Sequence, residues 1–555
     1  MEKRWQILSV LEVGSKESVV ENLLKNRGIK DKEEFFDPPR PNQLITQLRR
    51  YLPDLDQNQL ERAVERIKEA ISSGEKIIVW GDFDVDGVTA TAILWSALGG
   101  PGGLGADALP YIPDRFTEGY GLNKQGIKKI SEEGAGLIIT VDSGITAKEE
   151  VEYANSLGLE IIVTDHHLKP KKLPPAYAIV QTNKLCGAGV AWLLASQLIT
   201  NHSSLITGFL DLVAIATIAD LQPLLGANRS LVKYGFEVLN QNKRPGLAAL
   251  LEVAGLRPGN LGSYAAGWIL GPRINAIGRL KQGIEALRLL CTQDEIKARE
   301  LAHLLEAANI KRQSLTEEMY NHAKGLVVDG STGSPQGEGL IVLYHDSWHE
   351  GIIGLVAGKL VEEYGRPAVV IAKGEEFSKG SARSVNGFNL LEALQNHADL
   401  LEDVGGHEMA AGFTVLNEKL EQFVSALREE AKEILKTLDP RPVLKIDLEF
   451  PLYNLGYESI AELERFKPHG VGNPEPLFLA QGVNVLEERK VGRQKQHLKL
   501  LVSPGFEAIW FGHGENGSFT LGEEVSLAYT PEIEVWNGKE KVILKIRDLR
   551  RTGHD

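Results

Sequence analysis

Three short runs of branched aliphatic residues, each stopping on acidic or imidazole side chains, limit what this chain can fold into. Ile77-Ile-Val-Trp runs into Gly81-Asp-Phe-Asp-Val-Asp-Gly, Leu137-Ile-Ile-Thr-Val runs into Asp142-Ser-Gly, and Ile161-Ile-Val-Thr runs into Asp165-His166-His167. Near-continuous Ile/Val runs alternating with helical stretches are the pattern of a parallel sheet buried on both faces. Such sheets bind ligands in the crevice beyond the carboxyl ends of their strands. The acidic stops fall there, and a further one follows at Ala216-Thr-Ile-Ala-Asp220. Alternate residues of an extended segment share a side, so Asp82, Asp84 and Asp86 converge and repel one another unless a cation sits between them. Carboxylate oxygens with a minority of imidazole nitrogens suit Mn²⁺ or Mg²⁺; zinc is disfavoured, since no cysteine is near in sequence.

Two plainer readings compete. Asp-x-Asp-x-Asp-Gly also opens a calcium loop, but that loop needs a distal bidentate Glu between two helices, whereas this one follows a strand. A single Asp at a strand end is usually a helix N-cap, and for Asp220 alone that reading is acceptable. Independent capping does not explain Asp82, Asp84, Asp86, Asp142, His166, His167 and Asp220 together.

With 555 residues the chain exceeds one core and is expected to divide into about three or four domains. The residues are 43% hydrophobic and 25% charged, ordinary for a globular protein. No apolar run of about 18 residues occurs and the start lacks a signal peptide's apolar core, so a cytoplasmic protein without a membrane span is expected. Cys186 and Cys291 are the only cysteines and give neither a disulfide framework nor zinc spacing. The net charge of −14, from 61 basic and 75 acidic residues, excludes a protein that coats nucleic acid by global attraction. It does not exclude a local patch that meets a polyanion.

The expected organisation is a small helical appendage over 1–50, a parallel-sheet α/β domain over 51–225, a helical connector over 226–330, a smaller α/β domain over 331–438 and an all-β barrel over 439–555. Leu60, Val64, Ile67 and Ile71 predict an amphipathic helix from Asp56 to Ser73. Asp294 to about Val328 reads as one long linking helix, with Gly325 its only glycine. A Ser/Gly/Pro-rich turn is expected at Ser331 to Glu338, and Asp439-Pro-Arg-Pro marks a further boundary. Alternating strands at Val443–Phe450, His497–Val502 and Val542–Ile546 predict the barrel.

These residues resemble the DHH phosphoesterase superfamily, named for its Asp-His-His triplet, and within it the RecJ family of single-strand-specific 5′ exonucleases. The likeness is carried by Gly81-Asp-Phe-Asp-Val-Asp-Gly-Val-Thr, Arg115-Phe-Thr-Glu-Gly-Tyr-Gly and Val163-Thr-Asp-His-His. Gly271-Pro-Arg-Ile-Asn-Ala-Ile-Gly-Arg-Leu, Ser381-Ala-Arg-Ser and Gly405-Gly-His-Glu-Met-Ala-Ala-Gly-Phe extend it across nearly the whole chain. The resemblance implies a parallel-sheet DHH domain joined by a long helix to a smaller DHHA1-type α/β domain, and a C-terminal OB-fold barrel. It implies two Mn²⁺ or Mg²⁺ ions held by Asp82, Asp84, Asp86, Asp142, His166 and Asp220, with Asp142 as the bridge. His167 would face the scissile phosphate and Asp165 would orient an imidazole from behind. One departure is Gln222, where the family usually carries an apolar residue.

The reaction this implies is in-line hydrolysis at phosphorus, with the 3′ oxygen leaving and a 5′-mononucleotide released from single-stranded DNA during repair and recombination. Arg115, with Glu118, Gly119 and Tyr120, is the candidate grip on the 5′ phosphate; Arg273 and Arg279 would line the strand's path. Ser381, Arg383 and Ser384 offer hydroxyls and a guanidinium, and Gly405, Gly406 and His407 let backbone approach an anion. Arg489, Lys490, Arg493, Lys495 and Lys499, with Trp510 and Phe511, would hold the strand on the barrel, or be a solvated hairpin beside core aromatics. A monomer is expected, with a single-strand-binding protein and a helicase as candidate partners. A small-molecule DHH hydrolase acting on pyrophosphate or a cyclic dinucleotide, and a non-enzymatic binding module, are the competing functions. The first would need no barrel; the second would lack ligands that are all present here.

Overall fold

Burial on both faces decides the central sheet. In a computed structural model that describes residues 3–9, 18–199, 203–328, 339–439, 441–536 and 539–552, the strands Ile77–Trp80 and Leu137–Thr140 are buried at every position. Five strands, all parallel, stand in the order Ala108–Tyr111, Ile77–Trp80, Leu137–Thr140, Glu160–Asp165, Ala178–Gln181. The chain steps outward from Ile77–Trp80 to one edge and then returns to lie on its other side, so the winding reverses between Ile77–Trp80 and Leu137–Thr140. A crevice opens beyond the strand ends at such a reversal, and the loops carrying Asp82 to Asp86 and Asp142 both leave from it.

The helix Gln57–Ser73 forms as its periodicity predicts: Asp56 caps it by accepting from Asn58 and Gln59 amides, Leu60, Ala63, Val64, Ile67 and Ala70 are buried, and Gly74 ends it at φ 69°. The long helix runs Glu295–Val328, with Asp294 accepting from the Ile296 and Lys297 amides at its start. The expected turn at Ser331 to Glu338, and Pro440 in the expected boundary, lie outside the described residues.

Two compact units result. One is built mainly of Leu304–Val443. Its five-stranded sheet runs in the order Asp403–His407, Ala410–Leu416, Phe377–Arg383, Ala368–Lys373, Ile341–His345, with only the last pair parallel. Alternate strand residues face opposite ways: Val342, Val369 and Ile371 enter a core with Phe423 and Leu427, while Ile341, Leu343 and Val370 enter one with Val356 and Leu360.

The other unit contains the parallel sheet and the C-terminal barrel. Strands Phe478–Val491, His497–Val502, Phe506–Trp510, Lys539–Arg551 and Glu524–Trp536 pair in that order, and Phe478–Val491 closes the ring on Glu524–Trp536. The segment expected as a small N-terminal helical appendage is instead part of this barrel. Arg4–Ser9 is a strand at the end of the barrel's sheet, and Val20, Leu23, Leu24 and Phe35 enter the same core as Phe466, Phe478 and Leu544. Helices of eight and five residues cannot stand alone in water, so their apolar faces need this partner. Arg27 and Asp447 seal the contact as a buried ion pair at 2.9 Å.

Arg229 ties the same region together. It is 1% exposed, lies 3.8 Å over the Phe35 ring, and donates to the carbonyls of Phe35, Arg465, Phe466, Lys467 and Pro468 at 2.6 to 3.3 Å. Burial lowers its pKa to about 10, which leaves it charged at neutral pH. Arg229→Met strips five carbonyls, three of them in buried hydrogen bonds, of their donor and is expected to cost more than about 3 kcal/mol. A lower urea midpoint and faster proteolysis within residues 18–36 would register it; an unchanged midpoint would refute the tie.

Candidate metal centre and phosphate-binding face

Each chemical group reaches the centre by a different local device. Asp84 caps the helix Val85–Leu98, accepting from the Gly87 amide at 3.0 Å, so the capping reading is correct for it and does not use up the carboxylate. Asp86 lies in the first turn of that helix, and its two oxygens accept from the Gly187 and Ala188 amides at 2.6 and 2.7 Å. Those amides begin the twelve-residue helix Gly187–Leu198, whose positive end favours a carboxylate. The approach requires a glycine: a Cβ on Gly187 would sit 2.5 Å from the Asp142 Cβ. Asp142 itself holds φ 59°, a left-handed conformation uncommon outside glycine, which a functional site tolerates.

His166 lies with its Nε2 3.0 Å from Asp142 Oδ1 and 3.7 Å from Asp86 Oδ2, and its Nδ1 3.8 Å from Asp220 Oδ2. Potential ligand atoms gather within 4.8 Å of one another in three sets: Asp82, Asp84 and Asp142; Asp86, His166 and Asp220; and Asp142, His166 and His167. Asp142 and His166 each belong to two sets. Among the described residues, no hydrogen-bond donor satisfies the buried Asp82 Oδ1 or Asp142 Oδ1. Buried, unsatisfied, mutually repelling oxygens are the donor set a hard divalent cation requires, so these residues fit Mn²⁺ or Mg²⁺.

The electrostatics agree. Burial first, and then the neighbouring carboxylates, raise Asp82 and Asp142 well above the ordinary carboxylate value and push Asp86 up to about 8. Burial also raises Asp220, and lowers His166 against the pull of Asp220. Asp165 behaves differently. Burial opposes its charge, but it accepts from His167 Nδ1 at 2.8 Å, from the His166 and His167 amides, and from the Ile145 amide, and these hold its pKa low. The same contact overcomes burial at His167 and raises its pKa.

Tyr120 donates to the Asp142 carbonyl at 3.0 Å and its ring lies 6.3 Å from that of His167. Arg115 stacks 4.7 Å over Phe83, an aromatic that sequence reasoning passed over although it lies inside the Asp triplet. Glu118 accepts from the Asp114 amide and shapes the loop between Arg115 and Tyr120. Arg273, on the helix Gly271–Leu280, donates to the Ile269 carbonyl. Gln222 was also missed as a site residue. Its Nε2 donates to Asp220 Oδ2 at 2.9 Å and lies 3.4 Å from His166 Nδ1, so it fixes two candidate ligands at once. Gln222→Leu is expected to weaken Mn²⁺ binding about tenfold in calorimetry, the scale of effect when a residue orienting a metal ligand is lost; equal affinity would count against that role.

In the other unit the register of three strands places a second group. Ser381 pairs with Gly412, which pairs with Gly405; Arg383 pairs with Ala410, which pairs with His407. Residues directly across a ladder share a face, so Ser381, Arg383, Gly405 and His407 lie together. Arg383 is largely buried, its guanidinium donates to Ser381 Oγ and the Ala382 carbonyl, and burial lowers its pKa. No carboxylate pairs with it among the described residues, which leaves an anion to balance the charge. Gly406 has φ 141°, and a Cβ there would strike the Ala410 carbonyl. Arg279 donates to the Gly351 carbonyl. Ser384 does not join the group: its hydroxyl is buried and donates to the Phe388 carbonyl at 2.6 Å.

A reversal-point cluster of carboxylates and imidazoles on a parallel sheet, with a separate anion-seeking guanidinium, defines a phosphoesterase of the DHH type. Family models agree: the DHH family N-terminal domain matches residues 76–217, the DHHA1 domain 337–433 and the RecJ OB domain 446–548. The single-stranded-DNA-specific exonuclease RecJ of Bacillus subtilis is 38% identical over 88% of this chain, and this chain covers 63% of it. The protein of the same name from Escherichia coli K12 is 33% identical over 96% of this chain and 95% of the relative. The crystal structure of Thermus thermophilus RecJ in complex with Mn²⁺ superimposes with a TM-score of 0.83 at 33% identity, covering 99% of this chain and 80% of that one. The chain belongs to the RecJ family. No described helix is long and apolar enough to cross a membrane.

Proposed function

We infer that this chain is a metal-dependent exonuclease that degrades single-stranded DNA from its 5′ end, releasing 5′-mononucleotides in DNA repair and recombination. The observation that carries this reading is the three overlapping three-residue sets, two meeting at Asp142 and two at His166, around unsatisfied buried oxygens. Bound Mn²⁺ or Mg²⁺ supplies Lewis acidity toward phosphate oxygens and lowers the pKa of water. Asp82, Asp84, Asp86, Asp142, His166 and Asp220 would hold the ions, with Asp142 between them. His167, held in place by Asp165, faces the scissile phosphate. Arg115 and Tyr120 flank that position and hold the end of the strand. Ser381, Arg383, Gly405 and His407 take up phosphate, the anion Arg383 otherwise lacks.

A monomer is the expected state. Work on DNA fits a cytoplasmic enzyme to which a helicase or single-strand-binding protein presents the strand. Incubation with Mn²⁺ and 5′-labelled single-stranded DNA, duplex DNA or a cyclic dinucleotide tests the reading. Labelled mononucleotide from the single strand alone is expected. Turnover of the cyclic dinucleotide in preference to the strand would overturn it.

A further inference from the structure

On the helix packed against the segments that bear the candidate ligands, the chain exposes two aromatic rings that the reaction chemistry does not use. Tyr264 is 71% and Trp268 is 73% exposed. They stand four residues apart at the start of a π-helical turn, Ala265–Leu270, which continues into the helix Gly271–Leu280. A π-helical turn is rare and occurs mostly at functional sites. At near 4.4 residues per turn it sets positions four apart side by side.

The opposite face of this helix is pressed backbone-close against the segments that carry the ligands. A Cβ on Gly267 would lie 3.0 Å from Ile218, two residues before Asp220. On Gly271 it would meet Ala219 and Val85, and on Gly278 the Phe83 carbonyl at 2.6 Å. Glycines at these positions let the helix lie directly on the loops bearing Asp84, Asp86 and Asp220.

The apolar exposure continues on the far side of Asp220. Leu221 is 69% exposed in a left-handed conformation at φ 56°, and its amide donates to the Ile218 carbonyl. Leu225 and Val471 are exposed beyond it, and the Leu224 amide donates to the Val471 carbonyl in the loop that leads into the barrel. A strip of exposed apolar side chains thus brackets Asp220: the rings lie on the helix packed against Ile218 and Ala219, Leu221 directly follows Asp220, and Leu225 and Val471 flank the bond to the loop that leads into the barrel.

We propose that Tyr264 and Trp268 are a stacking platform for the bases of the single strand just behind the scissile nucleotide, and that Leu221 continues it toward the barrel. This rests on the exonuclease reading. Flat rings accept any base, as an enzyme consuming a strand of arbitrary sequence requires, and they hold bases where the carboxylate cluster would repel phosphates. A protein docked on this strip would cover the approach to the centre, so the strand is the occupant the position favours.

The test uses the full chain with Mn²⁺ and two 5′-phosphorylated strands of equal length, one intact and one abasic from the second nucleotide onward. Trp268→Ala is expected to raise KM for the intact strand about tenfold with kcat little changed, the scale of one lost base stack. On the abasic strand wild type and variant should have equal KM, and Trp268→Phe should recover most of the loss. An unchanged KM on the intact strand, as expected if the strip serves a protein partner, would overturn the proposal; so would an equal loss on both strands. If the wild type releases no nucleotide, the exonuclease reading fails, and anisotropy of the same two labelled strands with wild type and variant still decides the platform.

Discussion

Asp142→Ala is expected to abolish Mn²⁺-dependent nucleotide release while leaving the fold intact. This carboxylate lies within 4.8 Å of ligand atoms from both halves of the cluster, so its loss removes an oxygen from each half rather than from one. A drop of at least about 10³-fold is expected, above the loss when a single transition-state donor is removed. Removing the side chain also relieves a buried, repelled carboxylate, so the metal-free variant should unfold no more easily than the metal-free wild type. Circular dichroism and a single-turnover assay on labelled single-stranded DNA measure both. Activity within tenfold of wild type would remove Asp142 from the bridge and with it the two-ion arrangement.

The second large effect is a metal-induced stabilisation that grows with pH. Without cations, Asp82, Asp86 and Asp142 have pKa values raised above 3.8, Asp86 to about 8. Between pH 4 and 8 the folded chain therefore holds protons that the unfolded chain has released. Stability is then greatest below the unfolded value and is lost as pH rises through the folded one. The metal-free protein should melt lower at pH 8 than at pH 6. Mn²⁺ takes the place of those protons, so saturating metal should raise the melting temperature by roughly 5–10 °C at pH 8, and by less at pH 6. Scanning calorimetry at the two pH values with and without Mn²⁺ gives the four numbers. A metal-induced shift that is the same at both would mean the carboxylates are not competing with protons for the ions.

Much of the centre was legible because its residues are local in sequence. Asp82, Asp84 and Asp86 are close in sequence, across a loop and the first turn of the helix Val85–Leu98, His166 and His167 follow Asp165, and the runs before them are the buried strands their Ile/Val content predicts. Asp220 shows where the pattern is ambiguous. Its apolar approach resembles that of the strands, yet Leu210–Ala219 is a buried helix that delivers the carboxylate from its C-terminal end. A short, wholly apolar run carries no period to tell the two apart. Ser384 shows another limit: its neighbours Ser381 and Arg383 alternate onto one face, whereas it lies past the strand's end and turns inward. The N-terminal helices read as an appendage because nothing local reveals that their apolar faces belong to a barrel more than 400 residues away.

By itself the sequence determined the strands, their acidic ends and the kind of cation those ends would hold, since apolar runs and side-chain chemistry act within a few residues; the helix that opens at Val85 overrides the expected alternation and sends Asp86 to a different set from Asp82 and Asp84. Tertiary structure alone decided that the Gly187 and Ala188 amides hold Asp86, that Gln222 spans Asp220 and His166, and that Trp268 stands exposed on a helix packed against Ile218. Those relations join positions far apart in the chain or turned by its fold. Close packing of glycine-bearing helices against loops creates them, and a linear pattern does not encode such approaches.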